Sequence, residues 1–359
     1  MANYLGDNNG NILSGTADAD SIVGMGGNDQ IYGLTGNDFL DGGADNDTLA
    51  GGVGNDTVAG DSGNDAIEIG LGDDYIDAGD GVDTMYVGYY DNLQGQGAVS
   101  INMNATGAQA TGGAGTDTLL NFENFTYFNL DGLRVVGTPG DNRFSSLNTT
   151  SDDKIFGLGG NDYALLGGGN DTMLGGDGQD TMHGGDGNDR LYGGGLSDQV
   201  YGGNGNDFVD GGAHHDLVRG DAGNDVLRGG TGIDALEGGA GRDIMWGGDG
   251  AGADFAKDSF VFTDTSESGL GAARDVIRDF EQGYDVVHLS NIDADIATSG
   301  DQAFTLIGNA QFSGTAGELR AVVHGSNTLL KMDVDGDGSS DMDILLNGAF
   351  TLTADDFVL

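Results

Sequence analysis

Nineteen nonapeptides carry this chain, each with an Asp at its sixth residue and, in all but one, a bulky apolar side chain at its eighth. The first block runs unbroken from Gly15 to Tyr86, with Asp20, Asp29, Asp38, Asp47, Asp56, Asp65, Asp74 and Asp83 at position six. Its eighth positions are Ile22, Ile31, Leu40, Leu49, Val58, Ile67, Ile76 and Met85. A second block, Asn148 to Trp246, holds Asp153, Asp162, Asp171, Asp180, Asp189, Asp198, Asp207, Asp216, Asp225, Asp234 and Asp243 in the same frame. The fullest units, such as Gly184-Gly-Asp-Gly-Asn-Asp-Arg-Leu-Tyr192, read G-G-x-G-x-D-x-U-x. A Gly- and Asp-rich composition with one Pro, Pro139, is by itself that of a solvated linker. A linker has no reason to keep an apolar residue two places after every Asp.

The residue types state the chemistry. Glycines at positions one, two and four permit tight turns whose carbonyls point outward. Calcium takes six to eight hard oxygen ligands, and such carbonyls with the position-six carboxylate are ligands of that kind. The closing triplet x-U-x alternates as a short strand, U inward and its neighbours outward. Position eight therefore predicts the core, and Tyr32, Tyr192 and Tyr201 at position nine belong outside. One strand of that length cannot bury its apolar face alone, whereas stacked copies can.

This nonapeptide resembles the calcium-binding repeat of the RTX (hemolysin-type) proteins, which winds into a parallel β-roll. The resemblance implies that two nonapeptides make one turn and that each ion lies between a loop and the loop two units on. Eight units would then hold about six ions and eleven about nine, roughly fifteen Ca²⁺ in all.

Charge points the same way. Fifty-nine acidic residues against twelve basic ones give a formal net charge of −47. Self-repulsion of that size keeps a chain soluble and opposes its compaction. It excludes nucleic acid and anionic membrane as electrostatic partners, since both need basic patches. The implied partner is a cation, and folding and metal binding are expected to be one event. There is no cysteine, hence no disulfide framework and no thiolate site. The start, Met-Ala-Asn-Tyr-Leu-Gly-Asp, lacks a basic n-region and an apolar h-region, so a cleaved N-terminal signal is not expected. No stretch has the length of a membrane-spanning helix. Extracellular calcium modules bind at about 10⁻⁴–10⁻³ M, which argues for a secreted protein rather than a cytoplasmic one.

The expected fold class is all-β: a parallel β-roll in two blocks with a β insert, followed by a β-rich C-terminal domain. The boundaries read as an N-terminal cap 1–14, block one 15–86, an irregular insert 87–147, block two 148–257 and a C-terminal domain 258–359. In the cap, Asn11 stands where Asp belongs. In the insert, Val99, Ile101 and Met103 alternate with polar residues as a half-buried strand does. Gly112-Gly-Ala-Gly-Thr-Asp-Thr-Leu-Leu120 is a full nonapeptide out of frame, adding Asp117 as a candidate ligand, and Gly137 to Ser145 is a weak one. Leu120, Phe122, Phe125, Tyr127 and Phe128 are candidates for an apolar cluster. The second block closes with a longer variant, Gly247 to Phe255.

Beyond it, Asp275-Val-Ile-Arg-Asp-Phe-Glu-Gln-Gly-Tyr-Asp-Val-Val-His-Leu-Ser290 resembles the C-terminal domain of serralysin-type RTX proteins. So do Gly300 to Phe304, Phe312 to Arg320 and Asp333 to Asp343. The resemblance implies an uncleaved C-terminal signal for type I secretion machinery, and the ending Asp356-Phe-Val-Leu359 is similar to the terminus those exporters recognise. An ordinary buried last strand is the alternative. Asp333, Asp335, Asp337 and Gly338 have the D-x-D-x-D-G spacing of a calcium loop, with Asp341 at the ninth place. The twelfth is Ile344, where a bidentate Glu would stand in an EF-hand. Two readings stay open, an isolated calcium loop between strands and a solvated acidic hairpin.

No H-E-x-x-H helix and no G-x-S-x-G elbow occurs. Asp61-Ser62-Gly63 falls at positions two to four of a repeat, where a turn explains it. His214-His215 replaces positions four and five of one repeat, weakening that site or offering nitrogen to a softer metal. Arg190, Arg219, Arg228 and Arg242 dot the second block and moderate its charge. The leading expectation is a non-enzymatic, secreted calcium-binding protein of a cell surface or matrix. Alternatives are a host-interaction effector similar to nodulation-signalling RTX proteins, and an accessory module of a polysaccharide-modifying enzyme. Calcium, the export machinery and an extracellular polysaccharide or host surface are the expected partners.

Overall fold

A three-residue strand with one apolar side chain is stable only when stacked, and the computed structural model of the chain is built of such stacks. It describes residues 2–88, 99–112, 114–128, 132–147, 150–250 and 255–359. Gly113 of the out-of-frame nonapeptide, Asn148 at the head of the second block and residues 251–254 of the longer variant lie outside the described residues. The chain is all-β, 51% strand and 2% helical, and its parallel solenoid turns number about 13 among the described residues. It divides into two compact units, Met1–Leu174 and Gly175–Leu359.

In the first unit, Asn3–Leu5, Ser21–Gly26, Phe39–Ala44, Thr57–Ser62, Tyr75–Asp77 and Gly115–Leu120 pair in parallel in that order. Their register aligns Ile22, Leu40, Val58, Ile76 and Leu119, all buried. The intervening repeats build a second parallel stack from Ile12–Ser14 to Tyr163–Leu165. There Ile31, Leu49, Ile67, Met85, Phe125, Phe144 and Ala164 line up inside. A third stack, Val99–Asn102, Leu133–Val136 and Lys154–Gly159, belongs to the sequence insert and the repeat that follows it. Each turn thus buries few apolar side chains, each worth about 1.5–3 kcal/mol.

The alternation read at 99–104 holds: Val99, Ile101 and Met103 are buried and their neighbours exposed. The apolar cluster differs in one respect. Phe122, Phe125 and Tyr127 are buried together with Leu119, while Leu120 and Phe128 are only half-buried. Leu119 is position eight of the out-of-frame nonapeptide, and Leu120 is position nine, which faces out.

In the second unit, Thr181–Asp186, Gln199–Asn204, Leu217–Gly223, Ala235–Glu237, Ser259–Val261, Val286–His288 and Phe357–Val358 form one parallel stack. Arg190–Gly195, Phe208–Ala213, Val226–Thr231, Ile244–Gly248, Asp275–Ile277 and Met342–Leu346 form the other. The serralysin-like region therefore continues both stacks with parallel strands. It then adds antiparallel partners, Asn327–Asp333 against Met342–Leu346 and Glu318–His324 against Asn327–Asp333.

Turn backbones explain the glycines. Gly43 at position two has φ +101° and Gly54 at position four has φ +144°, the region that favours glycine. Position one is different, since Gly24 and Gly42 keep ordinary angles. Their reason is space: a methyl group on Gly24 would collide with Oδ2 of Asp29 and the carbonyl of Gly42. Leu34 at position two and Leu196 at position four take φ +80° and +66° without that freedom.

Candidate metal centres

Two hydrogen-bond ladders of opposite polarity run along the turns. In the first, the backbone N–H of a position-six Asp donates to Oδ1 of the Asp two repeats on. Asp20 donates to Asp38 at 2.7 Å, Asp29 to Asp47 at 2.8 Å and Asp47 to Asp65 at 2.8 Å. Asp38 donates to Asp56, Asp56 to Asp74 and Asp65 to Asp83 in the same way. The second unit repeats the pattern from Asp180 to Asp198 and Asp189 to Asp207, through Asp216, Asp225, Asp234 and Asp243. In the second ladder, Oδ1 of a position-five Asn accepts the N–H of the residue 18 later, as Asn46 does from Asn64 at 2.7 Å. One ladder points each way along the stack, so adjacent turns are stitched from both sides.

All twenty nonapeptide Asp residues are at most 5% exposed, Asp162 and Asp171 among them. In the rungs named above the first oxygen is used by the ladder. The second oxygen of Asp29, Asp38, Asp47, Asp65 and Asp83 is buried without a hydrogen-bond partner, and the same holds for Asp198, Asp207, Asp216, Asp225 and Asp243. That oxygen sits beside the position-one glycine of its own repeat and the carbonyl two repeats on, as Gly220, Asp225 and the carbonyl of Gly238 illustrate. Burial pushes four of these carboxyls well up, to about 6 for Asp47, about 7 for Asp65 and about 8 for Asp198 and Asp225. The neighbouring Asp carboxylates in the stack push in the same direction.

A buried carboxylate oxygen with no donor is costly unless a cation meets it. The donor set is all oxygen, negatively charged and framed by glycine, which fits a hard divalent ion such as Ca²⁺ and offers nothing to a thiophilic metal. Position-six Asp residues with the adjacent turn carbonyls would hold it, and the ion would supply the counter-charge that lets the stack ionise.

Three candidate ligands stand apart. Asp20 Oδ2 accepts from both the backbone and the hydroxyl of Thr16, Asp117 Oδ2 from the Thr111 hydroxyl, and Asp153 Oδ2 from the Tyr127 phenol at 2.8 Å. In these the second oxygen already has a protein donor. Asp117 nevertheless occupies its rung, accepting from Asp74 at 2.8 Å although the two are 43 residues apart.

The ladder also runs through residues that sequence reasoning left out. Glu123 accepts from the Asp83 N–H, and Asn142 donates its N–H to Asp162. In the second unit Asp258 accepts from Asp234, Asp275 from Asp243 and Asp285 from Asp258. Asp258-Ser-Phe260 and Asp285-Val-Val287 do carry the D-x-U triplet; their irregular spacing concealed them.

His215 takes the place of Asn in the second ladder, its Nδ1 accepting from Ile233 at 2.8 Å while its own N–H donates to Ser197. That engages one of the ring nitrogens which the histidine pair offers. Asp61-Ser62-Gly63 is a turn, with Asp61 at φ +69° and Gly63 at +150°.

The loop after Asn327–Asp333 joins two antiparallel strands. It brings carboxylate oxygens of Asp333, Asp335 and Asp341 within 4.8 Å of one another. Asp337 stays out of that group and accepts instead from the Ser339 N–H at 2.7 Å. Asp333 accepts from Gly336 and Gly338, folding the loop around itself.

The sequence profile described as peptidase M10 serralysin C terminal matches residues 89–359. The RTX calcium-binding nonapeptide repeat (4 copies) matches residues 5–40, 32–67 and 70–88. No curated protein matches the chain. Among solved structures, the AlgE6R3 subunit of the Azotobacter vinelandii mannuronan C5-epimerase is 28% identical over 45% of this chain and 78% of that one, with a TM-score of 0.27. The AlgE6R2 subunit of the same epimerase is 31% identical over 41% of this chain and 90% of that one, with a TM-score of 0.28.

Proposed function

The chain belongs to the peptidase M10 serralysin C-terminal family and carries RTX calcium-binding repeats, and from that premise we propose a secreted, non-enzymatic protein that calcium folds outside the cell. The observation that supports this most is the stack of buried, partnerless Asp Oδ2 atoms in the repeat interiors. About fifteen ions would remove about thirty of the formal charges and join neighbouring turns. At calcium a hundredfold above Kd, each independent site adds about 2.7 kcal/mol to the folded state.

Export by type I machinery precedes folding in this reading. The terminus supports that order: Phe357 is 7% exposed and Phe357–Val358 pair with Val287–His288, so an exporter that reads this end reads it before the strand docks. The role is that of a cell-surface or matrix component whose repeats are occupied with metal and with each other.

Far-UV circular dichroism of chelator-stripped protein, titrated with calcium and with magnesium as control, tests the folding step. A cooperative gain of β signal specific to calcium is expected, and a full β spectrum in chelator would refute it. Fractionation of producing cells tests the location, and a purely cytoplasmic protein would defeat the secreted role.

A further inference from the structure

On a chain of net charge −47, one sheet face of the second unit gathers three arginines. Its strands Arg190–Gly195, Phe208–Ala213, Val226–Thr231, Ile244–Gly248 and Asp275–Ile277 are parallel and in register. Residues at positions seven and nine point out of the roll, and on this face they include three arginines, Arg190, Arg228 and Arg278, against one acidic residue, Asp210. None of the three is in an ion pair among the described residues. Asp210 stands in register with Arg228 without such a pair, and the Asp279 carboxylate beside Arg278 accepts from the backbone of Gly247 and Gly248. The other stack offers a contrast, since its outward Arg219 is neutralised by Glu237.

Aromatic rings hold two of these cations in place. Trp246 lies between Arg228 and Arg278, whose guanidinium carbons are 5.6 and 6.0 Å from its ring. Arg228 also lies 5.3 Å from the Phe208 ring, which packs on Tyr192 at 5.4 Å. Cation–π contact fixes a guanidinium without consuming its N–H donors, and Arg228 Nε has no hydrogen-bond partner. The result is a strip, about 4.8 Å from strand to strand, whose rungs run Tyr192, Asp210, Arg228, Trp246 and Arg278, the Trp246 ring set between two planar donor forks. Such forks match carboxylates two-pronged, and the rings offer flat apolar contact between them.

We propose that this strip binds a linear carboxylated polysaccharide, its carboxylates on Arg228 and Arg278 and its sugar faces against Trp246 and Tyr192. A long narrow face with donors repeated along the solenoid suits an extended polymer better than a globular partner. Access to such a polymer rests on the extracellular reading above; the binding itself does not.

The test uses the full chain folded in excess calcium and isothermal titration calorimetry. Probes are short oligouronates, a neutral β-linked glucan oligomer and polyglutamate. Oligouronate is expected to bind and the neutral oligomer to bind at least tenfold more weakly. Trp246→Ala, Arg228→Ala and Arg278→Glu each weaken oligouronate binding about tenfold or more, while Arg219→Ala does not. The calcium midpoint by circular dichroism stays unchanged in all four, which separates loss of the strip from loss of the fold. Arg278 is exposed, so Arg278→Glu tests the strip even if Trp246→Ala misfolds. Wild-type affinity in the arginine variants, or no oligouronate binding, overturns the proposal. Polyglutamate binding as tight as oligouronate overturns the choice of a glycan and points to an acidic protein. A protein that stays in the cytoplasm yet binds oligouronate would defeat the secreted role and leave the strip standing.

Discussion

Within the first unit, the repeats from Gly24 to Tyr86 and the segment from Thr111 to Asp153 share the same ladder but close it differently. In the repeats every rung is 18 residues from the next, and second oxygens such as those of Asp38 and Asp65 are left without a protein donor. Along the other segment the steps are 43, 40 and 20 residues, and protein groups complete the rungs. Thr111 and Tyr127 donate to Asp117 and Asp153, and Asn142 turns its amide N–H to the Glu123 carbonyl at 2.8 Å. The regular region needs a cation to satisfy its carboxylates, whereas the irregular one supplies hydroxyls and amides of its own. Repetition therefore marks dependence on metal, and departure from it marks a local replacement.

The largest test of this difference is removal of calcium. Chelation is expected to abolish most of the β signal, with amides of 24–86 losing hydrogen-exchange protection before those of 114–147. Equal loss in both regions at the same calcium concentration would break the distinction. Next, Asp65→Asn keeps the ladder acceptor and replaces the free oxygen by an amide, as Asn142 does naturally. It should raise the calcium midpoint several-fold, and Asp189→Ala should raise it too by damaging two neighbouring sites. Asp153→Ala should instead cost about 1–3 kcal/mol by orphaning the Tyr127 hydroxyl, with little change in calcium midpoint. An unchanged midpoint in Asp65→Asn would remove the ligand role assigned to that oxygen.

Acid sharpens the same contrast. Burial raises Asp65 and Asp243 to about 7 and Asp225 to about 8, above the 3.8 of the ordinary carboxyl. Between these values the metal-free folded state binds more protons than the unfolded chain, so its stability falls as pH rises from about 4 to about 8. In chelator, acidification from pH 8 to pH 5 is thus expected to restore β signal. With calcium the same acidification raises the calcium midpoint, because protons compete for the carboxylates. A chelated spectrum independent of pH would contradict the burial of these groups. The smallest effect concerns the turns: Leu196→Gly relieves a side chain held at φ +66° and should stabilise by about 1 kcal/mol in thermal unfolding. Gly54→Ala, at φ +144° and against the carbonyl of Gly36, should destabilise by more.

The repeat register, the buried eighth positions and the buried Asp stack were all legible in the residues, because each nonapeptide contains its own turn, ligand and strand. Neighbours 18 residues apart need no distant information to find each other. The rungs at Glu123, Asp258, Asp275 and Asp285 were not legible, because loops of unequal length hide which Asp-x-apolar triplet meets which. The sequence also named Asp337 with Asp333, Asp335 and Asp341, whereas loop geometry gathers only the other three.

What the sequence determined by itself is local and periodic: an all-β solenoid with an apolar line inside and a carboxylate line beside it. What only the tertiary structure decided is which oxygens lack a donor and which arginines lack an acid. Those depend on the side chains that unequal loops and parallel register bring from other turns, and spacing along the chain does not encode them.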